Sequence, residues 1–568
     1  MGQLVRESYA MKFFALLLPV VLAALGCQEK TKHVESGAML LPGFANNYHW
    51  PIDSSSADAQ KWFDQGMQLL YGFNQEEAIR SFEEAARHDP ECALIWWAIG
   101  YAYGPQLHNP ETTRKRLQRA REAIQQAGKF LSTASPENKA LIHALKKRYS
   151  AIELNDQIIL DQEYAKQMES VWRDHPENAD IGALYASALM YLQFSDYWTQ
   201  SGEPKGRTSE IVGVLEKVLD RHPTHTGANH YYIHTVEASP HPEWAVAAAD
   251  RLVTLVPGSG HLLHMPSHIY IRLGRYAEAA EVNERAIAVD KLYLSQAPPS
   301  DMYRILSFHN FHFLVYVAMM EGRYEAAMAT AQKLKEEIGA RLLRNHARYC
   351  DGLHSTYLHV LVRFGRWSDI VEEPEPHEFC LFSKAIWHYT RGVAYAATGH
   401  LSEARSEREA FEQCASRIPE DWLMGTTRVQ DLIPVARQML SGEIAYREGH
   451  HDEAFTLLRK GVELEDALLY SEPPGWMQPV RHALGALLME SGRLEEAESV
   501  FNEDLKRHPG NGWSLSGLER IYSAQNRDEN AKNISSMLEN WRNRADVWPD
   551  SSCYCERLKE DTGKPRPK

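Results

Sequence analysis

Residues 62–90 read WFDQGMQLLYGFNQEEAIRSFEEAARHDP. Taking Trp62 as position 4 of a 34-residue unit puts Gly66, Ala78, Phe82, Ala85 and Pro90 at positions 8, 20, 24, 27 and 32. Small residues at 8, 20 and 27 let two antiparallel helices approach closely, and the proline stops the second helix. Trp96, Gly100 and Tyr103 continue at positions 4, 8 and 11 of the next unit. Near the other end, Gly485, Ala497, Phe501 and Pro509 repeat positions 8, 20, 24 and 32.

This pattern resembles the tetratricopeptide repeat. Between the two ends, Gly274-Arg275-Tyr276, Gly322-Arg323-Tyr324, Gly365-Arg366-Trp367, Gly399-His400-Leu401, Gly449-His450-His451 and Gly492-Arg493-Leu494 read as turns joining a first to a second helix. Ala279, Ala327, Ala404, Ala454 and Ala497 follow at position 20, whereas the unit after Trp367 is degenerate and carries Asp369. Units stretch to about 50 residues, so loops are expected as insertions, one of them around Ala297-Pro298-Pro299. The fold expected is all-α: a right-handed α-solenoid over 58–545, with an N-terminal part (58–200) and a histidine-rich central part (201–370), followed by a tail at 546–568. The stretches NHYYIHTVEASPHPE, GHLLHMPSHIYIRLGRY, RFGRW and EPPGWMQPVRHALGALL are similar to those of long bacterial tetratricopeptide-repeat lipoproteins of unassigned activity. The similarity covers most of the chain and implies the solenoid without implying a reaction.

Within that register the histidines become informative. Thirteen of the 26 histidines lie between His222 and His359. His230, His234 and Glu237 run i, i+4, i+7; His261, His264 and His268 run i, i+3, i+7; His309 and His312 run i, i+3. Such spacings share a helix face. All of them fall on first helices, at positions 2, 5, 9 and 12, which line the concave groove of a solenoid. A transition-metal site follows, with zinc, iron or copper fitting imidazole plus carboxylate. Its expected ligands are His230, His234, Glu237, His264 and His268, with His261, His309 and His312 as further candidates. Two adjacent helices can share one ion, while three helices spanning about 20 Å suit a pair of ions. Pro266 either kinks the middle helix, re-aiming His261 and His264, or begins it, leaving only His264 and His268 in a fixed relation. Arg272, Tyr316 and His482 also fall at or near groove-facing positions as substrate contacts, as do Asp351 and Arg363. The alternative to each is an ordinary core or ion-pair role.

The N-terminus points to export. Met11-Lys12 precedes an apolar run, Phe13 to Leu25, that is too short to span a bilayer and ends in Leu25-Gly26-Cys27. This resembles a lipobox, with Ala24 where leucine is usual, so Cys27 is the expected lipidation site of a 1–27 signal segment. Residues 28–57 then form a tether, and the sequence leaves open whether Met1 or Met11 is the start. An exported body on a membrane anchor facing the cell envelope follows. Apart from Cys27 there are six cysteines, whose pairing the sequence leaves open. The net charge of -15 and mean hydropathy of -0.45 describe an acidic soluble body and argue against nucleic acid. Basic runs such as Arg114–Arg121 read as a solvated helix face. No P-loop, serine elbow or H-E-x-x-H is present. Three functions stand open: a scaffold binding a peptide, protein or small molecule in a metal-loaded groove, a metal-dependent oxidase or hydrolase with Glu237 as general base, or a metal-free interaction scaffold.

Overall fold

The computed structural model describes residues 38–44, 48–107, 113–150, 157–194, 196–296 and 300–547. The signal segment with Cys27, the tether up to residue 37, the triplet 297–299 and the tail from 548, with Cys553 and Cys555, lie outside them.

Helix follows helix from Ala57 to Arg544, and the one described sheet is a two-residue hairpin, Leu423–Met424 against Thr427–Arg428. The repeat register is realised as antiparallel pairs. The Ala57–Tyr71 helix packs on Gln75–His88, and Val480–Glu490 packs on Leu494–Arg507. Ser56, Asn74, Asn178, Ser259, Ser300 and Asn511 each cap a helix start through a side-chain oxygen. The position-20 alanines (78, 279, 327, 404, 454 and 497) are wholly buried. A Cβ on Gly66 or Gly485 would run into the ring of Phe82 or Phe501, its partner at position 24. The six turn glycines 274, 322, 365, 399, 449 and 492 all have φ between 62° and 86°, the left-handed region where a side chain is strained.

One expectation changes. The long central units grow mainly by lengthening helices rather than by inserting loops: Tyr276–Gln296, Asp301–Met320 and Tyr324–Asn345 have 21, 20 and 22 residues. The degenerate unit keeps only a six-residue second helix, Trp367–Glu372. The basic face at Arg114–Arg121 is a solvated, paired surface, with Arg116 on Glu76 and Arg119 on Glu83 and Glu122. The described cysteines 92, 350, 380 and 414 are free thiols. Among the described residues no helix is long and apolar enough to cross a membrane.

Repeats far apart in sequence touch one another. From the N-terminal end, Tyr71 packs on Gly227, and the Tyr293 hydroxyl donates to Glu77. From the C-terminal end, the indole of Trp513 donates to the Met319 carbonyl at 2.9 Å, and that of Trp541 to the Met320 carbonyl at 2.9 Å. Gln478 donates to the His359 carbonyl at 2.6 Å. The histidine helices are therefore sandwiched between repeats far away in sequence.

Candidate metal centre

Three first helices supply the histidines. Thr226–Val236 is capped by the His225 ring and carries His230 and His234, with Glu237 at its C-cap. Gly260–His264 and Pro266–Arg272 form one rod, broken in its hydrogen bonding only around Met265, whose dihedrals remain helical (φ -51, ψ -37). Pro266 has no N–H for the Leu262 carbonyl, and the helix is interrupted there while the dihedrals of Met265 stay helical. His261, His264 and His268 accordingly stay on one face. Asp301–Met320 carries His309 and His312.

These side chains assemble into two imidazole trios, His230–His234–His261 and His264–His268–His309, each with its ligand atoms within 4.8 Å of one another. His234, Glu237 and His268 form a third such group that joins them. Glu237 is the hinge between the trios: its Oε1 lies 3.2 Å from His234 Nδ1 and its Oε2 accepts from His268 Nδ1 at 2.7 Å. Burial would raise this carboxyl, but the two rings outweigh it and hold it below the usual carboxylate range. Both carboxylate oxygens thus face imidazole nitrogens, and Glu237 stands with His234 and His268 in a group that could hold an ion.

Hydrogen bonds on the far side of three rings, His230, His264 and His268, fix their tautomers. His230 Nδ1 faces the Tyr71 carbonyl at 2.6 Å, so it is the donor and Nε2 carries the lone pair. His264 Nδ1 faces Asn283 Oδ1 at 2.7 Å, and Asn283 is itself held in that orientation by donating Nδ2 to the Ala279 carbonyl. His268 Nδ1 faces the Glu237 carboxylate, leaving its Nε2 as an acceptor too. His230 Nε2 can accept from His261 Nε2–H at 3.1 Å, whereas His264 Nε2 and His268 Nε2, both left as acceptors, are only 2.8 Å apart. Two nitrogen lone pairs that close repel unless a cation, a proton or a metal ion, lies between them.

Each trio has an aromatic wall. Phe313 sits 5.0 Å from the His264 ring and 5.2 Å from His268. Phe73 sits 4.6 Å from His230 and 5.2 Å from His261 and stacks on His234 at 5.9 Å. Phe73 occupies repeat position 15, where six other turns have glycine and one has Asn526, and its φ is 58°. A left-handed phenylalanine is costly, and such outliers persist where the surroundings use the side chain.

The remaining candidates are placed elsewhere. His312, three residues past His309, points away from the trios. Neither of its ring nitrogens has a hydrogen-bond partner among the described residues, and burial, aided by His359, pushes its imidazole down to about 3. Tyr316 is buried with its hydroxyl 3.5 Å from His508 Nδ1. His482 is buried between Asp504, which accepts from Nε2 at 2.8 Å, and Arg363, whose Nη2 donates to Nδ1 at 3.0 Å. These two serve the internal seam against the C-terminal repeats instead of facing an open groove. Arg272 lies at the edge of the site, donating to the carbonyls of Glu237 and Ser239 and stacking 5.5 Å above Tyr470. The site itself is covered: His230 and His264 are fully buried and His268 nearly so. The sequence reading missed Glu472, Asn283, Phe73 and Phe313, because none shares the histidine spacing. Glu472 is fully buried, and desolvation and the neighbouring Glu237 push its carboxyl well above the usual range.

The architecture is a helical solenoid of tetratricopeptide type. A sequence profile of the tetratricopeptide repeat matches residues 478–503. No curated protein sequence matches the chain. Among solved structures, the chain is similar to human IFIT1 in a dimer with m7Gppp-AAAA, at 13% identity over 80% of this chain and 90% of that one, TM-score 0.34. It is also similar to yeast Tom70, at 10% identity over 87% and 91%, TM-score 0.30. The Cut9–Hcn1 hetero-tetramer of the APC/C gives 12% identity over 82% and 76%, TM-score 0.30.

Proposed function

We propose that this chain is a helical-repeat scaffold built around a buried transition-metal centre, in which His230, His234 and His261 hold one ion and His264, His268 and His309 a second. Glu237 orients a ring of each trio. The observation that carries this reading is the 2.8 Å Nε2–Nε2 contact between His264 and His268, whose other nitrogens face Asn283 and Glu237, together with the gathering of the six imidazoles into two trios. Outer partners that fix the tautomer and aim the free nitrogen inward are the usual setting of metal-ligating histidines. Three imidazoles per ion suit zinc, iron or copper. The scaffold surface around the centre is left to engage a peptide, protein or small molecule. The lipobox-like Leu25-Gly26-Cys27 supports export and anchoring at the cell envelope.

Elemental analysis of tag-free protein from metal-replete culture tests the centre. We expect about two equivalents of transition metal in the wild type, and about one in both His264→Ala and His230→Ala. Less than a stoichiometric amount in a folded wild type sinks the reading. For the anchor, Cys27→Ser should move the protein out of the membrane fraction, and retention there would mean the lipobox reading is wrong.

A further inference from the structure

Each trio offers an ion three imidazole nitrogens and, within the trio, neither a carboxylate nor a thiolate. The donor set is therefore neutral, and the charges around it nearly cancel. Glu237 reaches His234 and His268 at 3.2 and 2.7 Å, and Glu472 Oε2 stands 3.5 Å from His268 Nδ1. Arg272 carries the opposite charge beside both carboxyl groups, donating to the Glu237 carbonyl. Even with both carboxyl groups ionised, these three side chains sum to a single negative charge. Water does little to spread an ion's charge here. His230 and His264 are fully buried, Phe73 lies against His230, His234 and His261, and Phe313 lies against His264 and His268. The cost of taking an ion out of water grows with the square of its charge, so a divalent ion costs about four times as much as a monovalent one of like size. Two divalent ions would leave three positive charges unbalanced, two monovalent ions only one.

Coordination number points the same way. Zinc is almost always four-coordinate, non-haem iron takes a carboxylate beside its histidines, and cupric ion favours four tetragonal donors. Each of these would have to draw a further donor into a trio walled by an aromatic ring. Cuprous ion has no such need: it is stable on three neutral nitrogens, and imidazole suits copper. We propose that each trio holds a cuprous ion, an inference that rests on the metal reading above. Glu237, shared by the two trios, then offsets the charge of both ions from outside their ligand sets.

The test uses full-length, tag-free apo-protein under nitrogen, with the cuprous acetonitrile complex and zinc sulfate as probes. We expect about two equivalents of copper, silent in electron paramagnetic resonance and three-coordinate by X-ray absorption. Cuprous affinity, measured in competition with bicinchoninate, should exceed zinc affinity by at least about 100-fold. Glu237→Gln separates charge from ring orientation. If the carboxylate only orients the rings, its loss weakens both ions alike. If it balances charge, it holds a divalent ion more strongly than a monovalent one, so the ratio of cuprous to zinc affinity should rise by about 10-fold in the variant. Zinc affinity equal to or above that of cuprous ion, or an unchanged ratio in a folded Glu237→Gln, overturns the inference and leaves the metal reading standing. A folded wild type that takes up no zinc, iron or copper overturns both.

Discussion

Phe73 shows how one residue can be placed against its own backbone preference. Six other turns put glycine at its repeat position. Holding a side chain in the left-handed region costs on the order of 1–2 kcal/mol, which the contacts of the ring with His230, His234 and His261 offset. Phe73→Gly should relieve the backbone and uncover that trio. In metal-free protein, diethylpyrocarbonate labelling read by mass spectrometry should rise several-fold at His230, His234 and His261 but not at His264. Asp290 makes a second residue-scale case. It lies against Gly260 at the start of the middle histidine helix and accepts from Tyr303 at 2.8 Å and Asn310 at 2.7 Å. Burial outweighs those donors and pushes its carboxyl up to about 7 from 3.8. The folded state thus keeps a proton that the unfolded chain releases near pH 4, so Asp290 weakens the fold progressively as pH rises to about 7, by a few kcal/mol in full. Asp290→Asn should raise the urea midpoint at about pH 8 and leave it nearly unchanged below about pH 4. Equal midpoint gains across that range would show that Asp290 is not protonated in the fold. Neither Phe73 nor Asp290 is legible in the sequence, because what matters about each is a neighbour brought in by folding, whereas the histidines are legible because helical spacing alone puts them on one face.

At the scale of the helix pair the sequence is a better guide, since the repeat's chemistry is local. Position 8 must be small because position 24 is a ring lying across it, and Gly485 against Phe501 repeats the contact of Gly66 against Phe82. Gly485→Ala forces the Phe501 ring aside and should cost about 1–3 kcal/mol. In a double-mutant cycle with Phe501→Leu, part of that loss should be recovered, because the smaller side chain admits the added methyl group. Strict additivity of the two changes would mean the glycine is there for another reason. Gly492 offers a contrast: a Cβ there meets nothing within 4 Å, but φ is 80°. Gly492→Ala should therefore cost about 1 kcal/mol from backbone strain alone, and no change at Phe501 should rescue it. The middle histidine helix marks the limit of local reading. Pro266 left open whether His261 shares the face of His264 and His268. The start of the helix is decided by Ser259, whose hydroxyl oxygen accepts from the Leu262 N–H at 3.3 Å, about two turns before the proline.

At the scale of the whole molecule the repeats are joined by long-range packing that no 34-residue period encodes. The C-terminal pairs fold onto the central ones through large side chains that the sequence reading treated as ordinary repeat residues. Trp513 is the clearest of them. It is 1% exposed, its indole is bound to the Met319 carbonyl, and the Arg363 guanidinium lies 3.6 Å from its ring. Met319 belongs to the same helix as His309 and Phe313, so the seam and the histidine centre share one rigid element. Arg363 in turn donates to His482, which is held by Asp504, and Asp504 also accepts from Asn511 and Ser514. Removing the indole leaves a cavity and exposes that polar chain, at a cost of about 3–5 kcal/mol. If the two halves form one cooperative unit, the loss must spread to the histidine helices rather than stay in the C-terminal repeats. Trp513→Ala should therefore lower hydrogen-exchange protection across Asp301–Met320 and at His268 about as much as in Gly512–Ala524, while Pro136–Arg148 among the N-terminal pairs keeps its protection. Protection lost only within 512–544 would mean that the halves melt independently, and that the centre is assembled by the central repeats without support from the seam.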